Sequence, residues 1–233
     1  MDEFVESWAD WSDYYDIGKR DVTYGGHVVA IPLAAQYRGN VTIRPSMFEA
    51  AGLEVKTPES WDELNEIAPK LTVRDGDKFE VAGMAVTHHT QVYEVEMIQA
   101  GGDYFSQDRT KPLNNTPEGI TALTQHVSYG LVSEVMPVEG MDSGIPNLNA
   151  FAAGRVAIEQ HWPRGVGNAE LNAPDVFADL LVGEPMLGPS KKIDQVFIDK
   201  YMGFRLTKEP DAVFAALEFL NRPAVNFAIV VQG

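Results

Sequence analysis

The chain has 233 residues, 34 of them acidic and 18 basic, for a formal net charge of −16. That surface repels a phosphate backbone, so nucleic acid is excluded as the expected partner. The absence of cysteine excludes thiol catalysis, disulfides and cysteine-ligated zinc, and no apolar run reaches the roughly 20 residues that a membrane span needs.

Read in chain order, the elements alternate between helical and extended patterns, which predicts an α/β protein. The opening "MDEFVESWADWSDYYDIG" is acidic and aromatic, a short helix followed by a loop. "HVVAIPL" at 27–33 reads as a buried strand. In "PSMFEAAGL", Ser46 is placed to cap a short helix and Gly52 to end it in the left-handed conformation. In "TPESWDELNEIAPKLT", Ser60 and Glu63 have capping-box spacing. Trp61, Leu64, Ile67, Ala68 and Leu71 then form one apolar stripe, which Pro69 should kink or shorten.

"EVAGMAVT" at 80–87 is the next strand. A helix over 91–100 stops at Gly101-Gly102. "TPEGITALTQHVSYG" opens with Thr116 as cap and Pro117 in the first turn, and its spacing points Ile120, Leu123, Thr124 and Val127 inward. "FAAGRVAIEQHWPRG" reads as a strand that ends at Gln160 or His161 and meets a Trp on a stiff turn, Trp162-Pro163. "YMGFRL" reads as a late strand. "PDAVFAALEFLN" is an amphipathic helix with Val213, Phe214, Leu217 and Leu220 inward, and a further helix starts near Pro223.

The ordered runs "YGGHVVAIPL", "MFEAAGLEVKTPESWDEL", "QAGGDYF", "LNNTPEGITAL", "FAAGRVAIEQHW" and "GFRLTKEPDAVFAALEFL" resemble the family 1 extracellular solute-binding proteins. These are the sugar-capturing subunits of bacterial ABC importers, the maltodextrin-binding proteins among them. The resemblance implies a two-lobed, periplasmic-binding-protein-like type II fold that closes on ligand. It also implies that the chain is a central fragment whose first lobe is incomplete. The expected division is 38–180 as lobe two, with 1–37 and 181–233 as discontinuous parts of lobe one. With the opening strands missing, the aromatic cluster Trp8, Trp11, Tyr14 and Tyr15 would have lost native partners.

The resemblance also nominates residues. Trp162 is the leading candidate: sugars present apolar C–H faces that stack on aromatic rings, and Pro163 restricts the backbone before it. The rival reading is a core Trp. Gln36 stands where maltodextrin binders hold a carboxylate, and its amide both donates and accepts. Tyr37 and Arg38 lie beside it, and Arg38 suits a carboxylate if the sugar is acidic. His88 is placed to line the cleft from a strand end; two adjacent His on a strand point apart, so His88-His89 is not read as a metal site. Tyr93, Arg164 and Tyr201 are further candidates by position.

The implied function is a non-enzymatic carbohydrate-binding protein with no cofactor and no metal. It would be periplasmic or an extracellular lipoprotein, without its signal segment in this chain, and would deliver sugar to ABC permease subunits. Two alternatives stand beside it. One is a glycoside hydrolase, which needs two carboxylates about 5–9 Å apart and for which Glu159 with Asp103 or Glu94 comes to mind. The other is a binder of a non-sugar solute on the same fold.

Overall fold

The computed structural model describes residues 1–86, 90–138, 140, 144, 149–160 and 164–232. They form two compact units. Unit 1 comprises Met1–Gln36 and Val196–Gly233, and unit 2 is Tyr37–Gln195.

The first segment of unit 1 carries α1 (Asp2–Ser7), a 3₁₀ turn at Ala9–Asp13, α2 (Asp16–Asp21), the short strands β1 (Thr23–Tyr24) and β2 (His27–Val28), and β3 (Ile31–Tyr37). The run read as one strand at 27–33 is therefore split, and its main strand extends four residues further along the chain. The aromatic cluster packs within unit 1. Phe4 stacks on Phe214 with ring centroids 4.7 Å apart, and Trp8 lies 5.5 Å from Phe4 and 5.6 Å from Tyr14. Only Tyr15 of the four remains outside, at 86% exposed.

Unit 2 opens with β4 (Val41–Ile43) and α3 (Pro45–Ala50). Ser46 is not the cap of α3; Arg44 occupies that position. The carboxylate of Asp179 reaches the helix start instead, accepting from the Ser46 amide at 2.9 Å, from Arg44 Nε at 2.9 Å and from the Ser46 hydroxyl. An anion there meets free amides and the positive end of the helix, and those bonds hold the Asp179 carboxyl below its usual range despite partial burial. Gly52 ends the turn at φ +69° as its sequence position implies.

Helix α4 (Trp61–Leu71) begins at Ser60, whose Oγ accepts from the Glu63 amide at 3.2 Å. The returning half of the capping box is displaced by one residue, because the Glu63 carboxylate accepts from the Glu59 amide at 2.7 Å. Trp61, Leu64, Ala68 and Leu71 are buried as the stripe predicts, and the helix stops two residues after Pro69. The hairpin β5 (Val73–Asp75) and β6 (Lys78–Val81) follows, then β7 (Ala85–Val86) and α5 (Thr90–Gln99). Gly101, at φ +98°, and Gly102 close α5 by donating to Ile98 O and Met97 O, both at 3.0 Å.

Helix α6 (Pro117–Leu131) has the expected cap, Thr116 Oγ1 accepting from the Gly119 amide at 3.3 Å. Its inward face is not the expected one. Ile120, Leu123 and Val127 are 54%, 51% and 40% exposed, whereas Gly119, Ala122 and Tyr129 are buried. The cause is a polar network against α5. Buried Glu96 accepts from Tyr129 Oη at 3.2 Å and lies 2.8 Å from His126 Nδ1, and Gln125 donates to Tyr129 Oη at 3.0 Å. Satisfying a buried carboxyl outweighs burying three aliphatic side chains that retain water on one side. Burial pushes the Glu96 carboxyl above its usual range.

The chain then forms β8 (Ile158–Gln160), α7 (Arg164–Asn172), α8 (Pro174–Phe177) and β9 (Leu181–Val182). The sheet order is β7-β8-β4-β9, with β7 parallel to β8 and the other pairs antiparallel. Val41, Ile43, Ala85, Val86, Ala157 and Ile158 anchor the core that this sheet shares with Phe48, Trp61, Leu64 and Phe151. Because Leu181–Val182 hydrogen-bonds to β4, the stretch after residue 180 packs with unit 2, which runs on to Gln195.

Unit 1 resumes with β10 (Val196–Tyr201), α9 (Pro210–Leu220) and α10 (Pro223–Gln232). The late strand precedes "YMGFRL" and does not include its last five residues; Phe204 and Leu206 are 85% and 87% exposed. The strand is "VFIDKY", whose Asp199 and Lys200 break the apolar run. β10 pairs with β3 in a two-stranded ribbon. Leu217 is buried and Val213 and Phe214 pack beside it, as the α9 spacing predicts.

Candidate functional site

The two ends of unit 2 lie side by side: the Arg38 amide donates to Gln195 O at 3.1 Å. Asp194 ties them together. Its Oδ1 accepts from the amides of Arg38 at 3.1 Å, Gln195 at 2.6 Å, and Gly39. A Cβ on residue 39 would stand 2.6 Å from that oxygen, so any other residue there would force the carboxylate to shift. Burial pushes the Asp194 carboxyl above its ordinary range, against the pull of the three amides. Its second oxygen is buried without a hydrogen-bond partner.

Onto this clamp α5 projects Glu94. Its carboxylate lies 3.7 Å from the Arg38 guanidinium and accepts from Gln195 Nε2 at 3.4 Å. Arg38 is 4% exposed. With its charge answered by Glu94, it is poorly placed to take an acidic sugar. Tyr104 completes the group. Burial first, then the charges of Glu94 and Asp103, push its phenol far above the usual value, so it stays a protonated donor. The Tyr104 hydroxyl and Gln195 Oε1 are both buried with no partner. Such groups cost about 1–3 kcal/mol each when left unpaired, and in native proteins they call for a reason.

A second set of polar groups lies at the carboxyl edge of the parallel pair β7–β8, the edge at which open α/β sheets take ligands. Gln160 ends β8 opposite Val86, the last residue of β7, and α5 starts four residues later. Neither amide atom of Gln160 has a partner, nor has Oε1 of Gln91 in the first turn of α5. Glu159, one residue earlier and on the other face of the sheet, is buried, and desolvation raises its pKa to about 8. It is therefore largely a neutral acid at pH 7.

The residues nominated from sequence are dispersed. Trp162 and His88 lie outside the described residues, and Arg164 is the first residue of α7. Tyr93 sits on α5 and donates to Gly119 O of α6 at 3.4 Å. Arg38 belongs to the clamp, and the neighbouring Tyr37 is 52% exposed. In unit 1, Gln36 donates to the Asp199 carboxylate across the β3–β10 ribbon, and Tyr201 packs against the core of Val5, Trp8, Ile31 and Leu217. Sequence reasoning missed Tyr104, Asp194 and Gln195 at the clamp and Gln160 at the sheet edge. The legible signal was a Gln closing the apolar run "RVAIEQ" and the paired glycines before Asp103-Tyr104. Among the described residues no group of three or more His, Asp or Glu is arranged to hold a metal, and no helix is long and apolar enough to cross a membrane.

No curated protein is detectably similar in sequence. The fold has solved counterparts. An ABC transporter solute-binding protein from Thermotoga lettingae TMO, bound with α-D-tagatose, is 21% identical with a TM-score of 0.82 over 100% of this chain and 60% of its own. Maltose-bound T. maritima MalE3 is 19% identical, with a TM-score of 0.75 over 100% of this chain and 59% of its own. An Agrobacterium radiobacter K84 solute-binding protein in complex with ribitol is 22% identical, with a TM-score of 0.74 over 96% of this chain and 57% of its own. The chain thus spans somewhat under two thirds of the length of these proteins. Its α/β fold is theirs, and since residues 2–228 match the family profile, the chain belongs to the bacterial extracellular solute-binding protein family.

Proposed function

We propose that this chain binds a neutral carbohydrate or polyol outside the cytoplasm and serves an ABC importer, handing the solute to its permease subunits without chemical change. The observation that carries the reading is that two polar atoms around Glu94 are buried and unpartnered: the protonated hydroxyl of Tyr104, whose phenol feels the Glu94 charge, and the carbonyl oxygen of Gln195, whose amide nitrogen donates to Glu94. A sugar hydroxyl donates and accepts at once, so it suits a phenol and an amide oxygen together. A carboxylate or phosphate solute would bring a charge that no unpaired cation of this group answers. The solved counterparts that hold tagatose, maltose and ribitol point to the same chemistry. In this reading units 1 and 2 belong to the two lobes of the fold.

A hydrolase on this chain is the less favoured reading. Glu94 is already engaged by Arg38 and Gln195, and a retaining or inverting enzyme needs two carboxylates free to exchange protons or attack. The test is a thermal-shift screen over neutral mono- and oligosaccharides and alditols. A specific solute at a hundredfold excess over Kd should add about 2.7 kcal/mol of stability. Charged analogues should not. Steady turnover of chromogenic glycosides would overturn the binding-only reading.

A further inference from the structure

We propose that Gln160 is a solute-contacting residue that reads two neighbouring hydroxyl groups of the ligand; this deepens the carbohydrate reading above and rests on it. Gln160 is fully buried, and neither its Oε1 nor its Nε2 meets a hydrogen-bond partner. Its strand neighbours across the sheet are Val41 and Val86, and Ile158 lies two residues before it on the same face. All three are buried. An aliphatic residue would fill such a position without the cost of desolvating an amide. Retaining an amide there is the pattern of a site that sacrifices stability for recognition.

Place and chemistry agree. Gln160 is the last residue of β8 at the carboxyl edge of the parallel pair, and the unpartnered Gln91 Oε1 belongs to the helix that starts from that same edge. An amide offers one acceptor and one donor side by side. Adjacent hydroxyls on a sugar or alditol satisfy both, one donating to Oε1 and the other accepting from Nε2. An ionised carboxylate or phosphate has no proton for Oε1. Gln160 thus favours a neutral ligand with a vicinal diol. Because the position excludes bulk water, hydrogen bonds made there keep most of their strength.

The test uses the whole chain with Gln160→Met, which nearly preserves side-chain length, and Gln160→Leu as a second apolar replacement. Melting is followed without solute, and D-tagatose, maltose and ribitol are titrated by calorimetry. The unliganded variants should melt at or above the wild-type temperature. Affinity for whichever probe binds wild type should fall about 10- to 100-fold, as expected for losing two hydrogen bonds. If wild type binds a probe and the variants bind it equally well, the role of Gln160 is overturned while the carbohydrate reading stands. If no probe binds wild type, both fall. Lower melting of both variants would show the amide to be structural and would also overturn the inference.

Discussion

Units 1 and 2 are held together by different physics. Unit 2 packs fully enclosed aliphatic and aromatic side chains on a four-stranded sheet, Phe48, Phe151, Leu64 and Ile158 among them. Unit 1 has a two-stranded ribbon, and its described core encloses Val5, Trp8, Ile31 and Leu217 beneath half-covered aromatic rings. A dense, fully enclosed core loses contacts outright when a side chain is truncated, because the cavity left behind does not collapse fully. A layer of aromatic rings open to solvent on one side refills with water at lower cost.

The largest expected effect tests that contrast directly. Phe48→Ala should lower the hydrogen-exchange protection of amides in β4 and β8 by about 3–5 kcal/mol. Phe214→Ala, which removes one ring of the Phe4–Phe214 stack, should lower protection in β3 and β10 by about 1–2 kcal/mol and leave β4 and β8 unchanged. Equal losses in both units for either variant would show that the chain opens as one cooperative body.

Next in size is a pH effect confined to unit 2. Glu159 has a folded-state pKa near 8 against an ordinary value of 4.5. The folded state therefore binds more protons than the unfolded one between those values. The stability linked to this group is fully present below about pH 4.5 and declines as pH rises to about 8, by a few kcal/mol in all. Glu159→Gln should flatten this slope and raise the melting temperature at pH 8. A variant with the wild-type slope would place the titration elsewhere.

Smaller still is the cap on α3. Asp179→Ala removes the bonds to Ser46 and Arg44 and should cost about 1–2 kcal/mol, seen as a lower urea midpoint with unchanged slope. At the bottom of the scale, Leu123→Ser on the exposed face of α6 should change stability by less than about 0.5 kcal/mol. A loss of several kcal/mol there would mean that the face is covered.

That last case shows what the sequence could and could not reveal. Helix α4 was legible because one apolar stripe, one Ser-Glu cap and one core all agree. Helix α6 was not, since its orientation is set by His126 and Tyr129 reaching a glutamate on another helix, a long-range bond that no periodicity encodes. The clamp was hidden for the same reason: Gly39 and Asp194 are 155 residues apart. Arg38 could be named from its neighbours, but its burial against Glu94 required the fold. β10 was displaced by a few residues because Asp199 and Lys200 interrupt its apolar pattern.

The central claim is that buried neutral polar groups of unit 2 bind the hydroxyls of a neutral solute. Its most direct test is calorimetric titration of tagatose, maltose and ribitol into the chain and into Tyr104→Phe, with a melt of each protein. The account predicts that at least one of these solutes binds wild type, and that Tyr104→Phe weakens it about 3- to 30-fold while the unliganded melt stays level or rises, since an unpaired hydroxyl is removed. Absence of binding by all three solutes, or wild-type affinity in Tyr104→Phe, would contradict it.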